Sequence, residues 1–235
     1  MNLDELKSTL DQLAESLRDE QKDLLTARLD ALTSAYPFNE FEYILTFLIN
    51  EGVITFDEYE RLRTNYVNEN RYLDLFGLAP RIFGQVWGEK HLIDLDNRFT
   101  KPTKSLDPDY DGQYDLWIEG IRVEVKASRA INTKKKGPLS SKALRQNSNE
   151  PFWMNFQQLK LDLCDVFVFI VVWVNQIEYW VLSNEEVKKN PYLSKQHRGG
   201  IEYQIGFRNK NIAEFDPHKV KANAIGDTVI MKGRS

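Results

Sequence analysis

The chain has little of what builds disulfide frameworks or zinc sites: 235 residues hold one cysteine, Cys164, and three scattered histidines, His91, His197 and His218. A lone thiol excludes a disulfide-stapled fold. Its place at the head of an apolar run marks it as a buried thiol in a reducing, cytoplasmic setting. No His and Cys spacing fits a zinc motif. No apolar run approaches the roughly 20 residues of a membrane helix, and Asp4 and Glu5 stand where a signal peptide would be basic and then apolar, so no membrane partner is expected. Net charge is also scarce. A value of −4 excludes a protein that coats nucleic acid indiscriminately. Internal repeats and low-complexity tracts are absent too. What remains, 42% hydrophobic and 12% aromatic residues, suits one large globular domain or a core with a smaller appendage.

Charge is concentrated locally. From Gly120 to Asn149 the basic residues are Arg122, Lys126, Arg129, Lys134, Lys135, Lys136, Lys142 and Arg145, against a single acid, Glu124. The segment opens inside a hairpin signature: Tyr114–Ile118 and Ile121–Ala127 alternate in polarity around the two-residue turn Glu119-Gly120. With Ile118 facing Ile121, Asp115 falls opposite Glu124. Leu116, Ile118, Ile121, Val123 and Val125 then share one face, while Asp115, Trp117, Arg122, Glu124 and Lys126 share the other. Two carboxylates set cross-strand destabilise a hairpin, and a hard divalent cation between them reverses that sign. Lys126, two residues beyond Glu124, lies on the same face, and the Val125 carbonyl between them is a further oxygen ligand. Two carboxylates and a lysine around magnesium suit phosphodiester hydrolysis, in which the metal polarises the phosphoryl oxygen and activates water. The lysine then stabilises phosphate charge or positions the water. The competing reading is a solvated hairpin face.

Asp115, followed by Glu124-Val125-Lys126 on the next strand, resembles the core of the PD-(D/E)XK nuclease superfamily, which includes most type II restriction endonucleases. The resemblance spans about residues 79–208 and implies a restriction-endonuclease-like α/β fold, a mixed sheet flanked by helices. It implies that Trp153–Lys160 is an amphipathic helix bearing Phe156-Gln157-Gln158, followed by a buried central strand at Cys164–Val174 and its partner at Ile177–Leu182. One amide of the helix, Gln158 in preference to Gln157, would orient the catalytic lysine or a metal-bound water. The resemblance also makes Glu89, on a helix before the first catalytic strand, an auxiliary metal ligand. The alternative for Glu89 is a surface carboxylate beside Lys90. Tyr114 stands where the superfamily name has proline. Pro108-Asp109 lies in a turn-rich stretch outside the strand register, so Asp109 and Asp111 are lesser substitutes for Asp115.

Ahead of this core, residues 1–34 read as a helix with a seam of Leu3, Leu6, Leu10, Leu13, Leu17 and Leu24, interrupted at Glu20. The seam serves either packing within its own domain or self-association. Tyr36-Pro37 ends it. Asn39–Asn50 and Asp57–Leu73 read as helices, with Thr55 as a cap. Residues 1–75 thus form an all-helical N-terminal appendage for dimerisation or DNA clamping, and residues 76–235 the nuclease core. Ala79–Leu95 reads as the first core helix, with Ile82, Val86 and Trp87 on its apolar side.

The polar stretch Arg129–Pro151 reads as a loop that cannot bury itself and meets DNA. Lys134, Lys135, Lys136 and Lys142 would contact phosphates, while Arg129, Asn132, Arg145, Gln146 and Asn147 are suited to base edges. Val166–Val174 is apolar enough for a central strand. A short helix at Asn184–Lys189, a strand at Ile201–Phe207 and a final strand near Thr228–Met231 complete the reading.

These expectations converge on a magnesium-dependent endonuclease, with manganese able to substitute, that cuts double-stranded DNA at a specific sequence as a homodimer. By resemblance a cognate DNA methyltransferase would accompany it in the host. The alternatives are a repair, recombination or junction-resolving nuclease on the same core, and a catalytically inactive DNA-binding module.

Overall fold

A computed structural model describes residues 3–30, 39–195 and 202–235. The expected break at Tyr36-Pro37, the last turn of the first helix, His197 and the start of the strand at Ile201 lie outside the described residues.

The N-terminal helix is two helices, α1 (Leu3–Ala14) and α2 (Asp19–Asp30), separated by a turn. Ser16 and Leu17 there hydrogen-bond back to Leu13 and Ala14. The break thus falls at residues 15–18, a little before Glu20, which lies in the first turn of α2. The seam folds inward: Leu6, Leu10, Leu17 and Leu25 are buried, whereas Leu24 is exposed. They pack with Leu45 and Leu48 of α3 (Asn39–Asn50) and Leu62 and Tyr66 of α4 (Phe56–Glu69). Leu6, Leu10 and Leu17 of the seam thus serve their own domain, while Leu24 stays at the surface. Thr55 caps α4 in a reciprocal capping box with Glu58.

After a single 3₁₀ turn the chain is helical from Pro80 to Leu95, but Ile82–Gly88 is a π-helix that runs into α5 (Glu89–Leu95). A π turn takes in an extra residue, which rotates the helix face. As a result Phe83 and Leu92 are buried, while Ile82 and Val86, expected on the apolar side, are 49% and 61% exposed.

The expected hairpin forms with Ile118 opposite Ile121, from β1 (Leu116–Ile118), two residues shorter than expected, and β2 (Ile121–Arg129). Glu119 and Gly120 both take positive φ, 46° and 89°, the backbone that a two-residue turn of this hand demands. β2 then pairs in parallel with β5 (Val166–Val172), and β5 pairs antiparallel with β6 (Ile177–Ser183). Adding β9 (Lys219–Val220) gives a mixed five-stranded sheet in the order β1-β2-β5-β6-β9. Every residue of the central strand β5 is buried.

The connection from β2 to β5 departs from expectation. Trp153–Lys160 is not a helix: Phe152–Leu159 is a strand, β4, antiparallel to β8 (Tyr203–Phe207) in a second, four-stranded sheet ordered β3-β4-β8-β7. In that sheet β3 is Ile131–Asn132 and β7 is Ser194–Lys195. Phe152, Met154 and Phe156 alternate inward and pack on Phe167, Phe169 and Val171 of β5. Phe152, Phe156 and Leu159 also satisfy helical spacing, and burial between two sheets decided for the strand. The segment near Thr228–Met231 departs in the other direction. It lies in a helix, α7 (Ile225–Gly233), where Ile225 and Val229, four residues apart, face the core. Its short apolar run and spaced charges fit a strand as well as a helix, and packing of one helical face on the core decides for the helix.

The molecule is thus a mixed α/β fold with one mixed and one antiparallel sheet. The π-helix that leads into α5, together with α7, lies on one face of the five-stranded sheet, while α1 to α4 pack on one another, all within a single continuous core that runs from Leu6 to Val229. The second sheet covers the other face, joined there by Val187 of the short helix α6 (Asn184–Lys188), which Ser183 and Glu186 cap.

Candidate active site

β1 spans three residues and covers only Ile121–Val123 of β2, with Thr100 bridging Trp117 on its other edge, so β2 continues past it. Asp115, immediately before β1, meets β2 there. Its N–H donates to the Val123 carbonyl at 3.0 Å, and its Oδ2 accepts the Val125 N–H at 2.8 Å. Because the Val123 carbonyl points toward β1, strand alternation aims the Val125 carbonyl to the same side, beyond the end of β1.

Glu124 and Lys126 sit on the opposite face of β2 from Val123 and Val125, as the alternation predicts. Glu124 is 4% exposed, and its Oε1 lies 2.6 Å from Lys126 Nζ. Burial pushes the Glu124 carboxyl up to about 7. The Lys126 ammonium pulls it down, Asp115 pushes it further up, and Lys160 pulls it down again. Burial prevails because a desolvated carboxylate disfavours its charge more than one adjacent ammonium restores. Two carboxylates and two ammonium groups therefore converge here. Lys160 reaches this cluster from just past the end of β4, and no motif in the sequence singles it out. Cys164 borders the same cluster as a buried thiol, raised by burial and by the charges of Glu124 and Asp165. At the other end of the hairpin, Arg122 is clamped to Asp165 through its backbone N–H and its guanidinium.

The other candidates disperse. Glu89 is buried at the start of α5 and ion-paired with Lys101. Its helix packs on the Val125 and Ala127 side of β2, the opposite side from Glu124. Asp109 and Asp111 are exposed in the turn-rich segment, with Asp109 N–H bonded to Asp107. Gln157 and Gln158 are both exposed, contrary to the expectation that one faces inward. They form a β-bulge in which two residues oppose Gln204 alone, and Gln158 takes φ 58°.

The basic stretch is less free than its composition suggests. Arg129 is 8% exposed, donates to the carbonyls of Leu75 and Leu78 and stacks 4.3 Å over Phe83. Asn132 is buried between the Lys134 N–H and Glu150. Arg145 binds the carbonyl and carboxylate of Glu69 at the end of α4. These three residues tie the stretch to the fold, which corrects the expectation that it cannot bury itself. Leu144 anchors it further, bonded on one side to Ala130 and on the other to Val174. Lys134, Lys135, Lys136, Gln146 and Asn147 are exposed, and Lys142 is half-buried.

Asp115, Glu124 and the Val125 carbonyl form an all-oxygen donor set where β2 runs past β1. Among the described residues no group of three or more His, Cys, Asp or Glu side chains gathers as a cage. Two carboxylates fit magnesium or manganese, which keep several waters and take few protein ligands. Comparison with protein-family models, with curated proteins and with solved structures finds no match for the chain.

Proposed function

We propose that the protein hydrolyses phosphodiester bonds of double-stranded DNA in a magnesium-dependent reaction, as a sequence-specific endonuclease of the type II restriction kind. The observation that carries this reading is the convergence of Asp115, buried Glu124, Lys126 and Lys160 where β2 runs past β1. Asp115, Glu124 and the Val125 carbonyl would hold the magnesium, which supplies Lewis-acid polarisation of the phosphoryl oxygen and a water of lowered pKa. Asp115 is oriented for this by the Val125 N–H. Without the cation, burial pushes the Glu124 carboxyl up to about 7, so binding magnesium near neutral pH would release its proton. Lys126, 2.6 Å from Glu124, turns to the phosphate and stabilises the charge that develops there. Lys160 adds a second positive charge on the same side.

One such centre cuts one strand, so a duplex break by this reading takes two protomers related by a two-fold axis. Leu6, Leu10 and Leu17 of the leucine seam are buried within the protomer, so the dimer would draw on other residues. A second reading, a repair, recombination or junction-resolving nuclease on the same core, is favoured by one observation: Phe156-Gln157-Gln158 is a strand and no longer distinguishes restriction from repair. Incubation with phage DNA and magnesium, followed by sequencing of fragment ends, tests both. Discrete ends sharing one sequence support restriction, structure-dependent nicks support the second reading, and intact DNA overturns both.

A further inference from the structure

The outer face of the second sheet carries a cationic groove that the hydrolytic centre does not use. Trp153 lies flat on Gly206 of the neighbouring strand, where any side chain would overlap its ring. The Arg208 guanidinium stacks over that ring at 4.2 Å from its centroid. Arg208 is exposed, and among the described residues it forms no ion pair. An arginine fixed by stacking loses little freedom when its N–H groups fork onto an anion.

The groove beside it encloses about 500 Å³ and is lined by Trp153, Arg208, Asn209, Lys210, Phe152 and Thr133. Two of these are cations and none is a carboxylate. Asn209 is pinned from both ends: its Oδ1 accepts the Phe152 N–H, and its Nδ2 donates to the Glu150 carbonyl. Beyond Thr133 the exposed lysines Lys134, Lys135 and Lys136 extend the positive charge. Glu150 is the acid at this rim, and it already faces Lys134 at 3.6 Å.

β4 connects this groove to the hydrolytic centre. Trp153 stands near its start and Lys160 follows its end, with the Asn155 N–H bonded to Ser128 Oγ of β2 between them. At about 3.3 Å per strand residue the two lie roughly 20 Å apart. That span matches roughly six base pairs of duplex at about 3.4 Å each.

We infer that the Trp153–Arg208–Lys210 groove is a phosphodiester-backbone clamp, gripping DNA roughly six base pairs from the bond presented to Glu124 and Lys126. It extends the proposed nuclease reading by naming where the substrate is held.

The test is duplex DNA binding in EDTA, read by fluorescence anisotropy over a salt series, comparing the wild type with Arg208→Gln/Lys210→Gln. The double variant should bind about 10- to 100-fold more weakly. Its log–log salt slope should be flatter by about one to two, the loss expected for one or two phosphate contacts. Arg208→Lys should keep the slope while weakening binding. An equal neutralisation on α2, Lys22→Gln/Arg28→Gln, should change neither, and thermal melts confirm that each variant is folded. Inorganic phosphate in millimolar excess should not displace the duplex, and displacement would mean a small-anion pocket and overturn the clamp. Wild-type affinity and slope in the folded double variant would also overturn it, even if magnesium-dependent cleavage is found. DNA binding that depends on Arg208 and Lys210 without any cleavage would sustain the clamp and remove the catalytic reading.

Discussion

β2 and β4 lie side by side at the site and treat charge in opposite ways. β2 buries its charged face: Glu124 is 4% exposed, and Lys126 is largely covered beside it. β4 buries only its apolar face, Phe152, Met154 and Phe156, and turns Trp153, Asn155 and Gln157 outward. The difference lies in what the buried charge can do. A carboxylate in water titrates near 4.5, whereas Glu124, stripped of water and beside Asp115, is pushed up to about 7. A charged group kept at such a desolvation cost is a marker of function, whereas an outward polar row is a surface for contact. Under the proposed function β2 would carry out the chemistry and β4 would hold the substrate.

The sharpest way to break this division is to remove the β2 carboxylates. Asp115→Ala or Glu124→Ala should reduce magnesium-dependent DNA cleavage by about 10³-fold or more, the several kcal/mol that a metal contributes. Circular dichroism should be unchanged. Cleavage within a few-fold of wild type in either variant would leave β2 with no chemical role. Next in size, Lys126→Ala should cut turnover by about 10²-fold while magnesium affinity, followed by calorimetry, is largely kept. Equal losses in both would make Lys126 a support for Glu124.

How much of this was legible in the chain depended on how local the cause is. The hairpin register, the turn at Glu119-Gly120, the central strand β5 and the Thr55 cap follow from alternation, turn chemistry and capping, all contained within a few residues. β4 carried the same alternation in Phe152, Met154 and Phe156, but its helical spacing and its likeness to a known nuclease pattern pointed elsewhere, and only the facing sheet resolves the choice. Lys160 beside Glu124, Arg208 on Trp153 and the capture of Arg129 by the Leu75 and Leu78 carbonyls join residues 36 to 55 positions apart. No local pattern reports such pairings. The basic composition of Arg129–Pro151 was read correctly as charge, but it could not tell charges facing solvent from those spent on holding the fold.

The buried carboxyl also predicts a pH dependence of stability. Native Glu124 holds its proton more tightly than the unfolded chain does. The stability this proton brings is fully present below about pH 4.5 and is lost as pH rises through about 7. Glu124→Gln removes the cost of the buried charge. In EDTA it should therefore be more stable than wild type at pH 8, by on the order of 1–3 kcal/mol, and the gain should vanish below about pH 4.5. Chemical denaturation at pH 4.5, 6 and 8 measures it. A gain that does not change with pH would mean that Glu124 is charged throughout that range.

The smallest effect belongs to the bulge in β4, where the comparison with β2 turns on backbone geometry. Gln158 holds φ 58°, a left-handed conformation that costs a non-glycine residue about 1 kcal/mol or more. The bulge is what lets Leu159 return to the core after two consecutive outward residues, and so delivers Lys160 to Glu124. Gln158→Gly satisfies that geometry without strain and should raise stability by about 0.5 kcal/mol, less whatever its amide contributes and the extra freedom glycine brings to the unfolded chain. Gln158→Val, which resists positive φ, should lower it by about 1–2 kcal/mol. If the bulge acts only through the backbone, cleavage by Gln158→Gly stays within a few-fold of wild type while Gln158→Val loses activity together with its melting temperature. A stable Gln158→Gly protein that had lost turnover about 10²-fold would place the amide itself in the chemistry, and the division between a working β2 and a holding β4 would have to be redrawn at that residue.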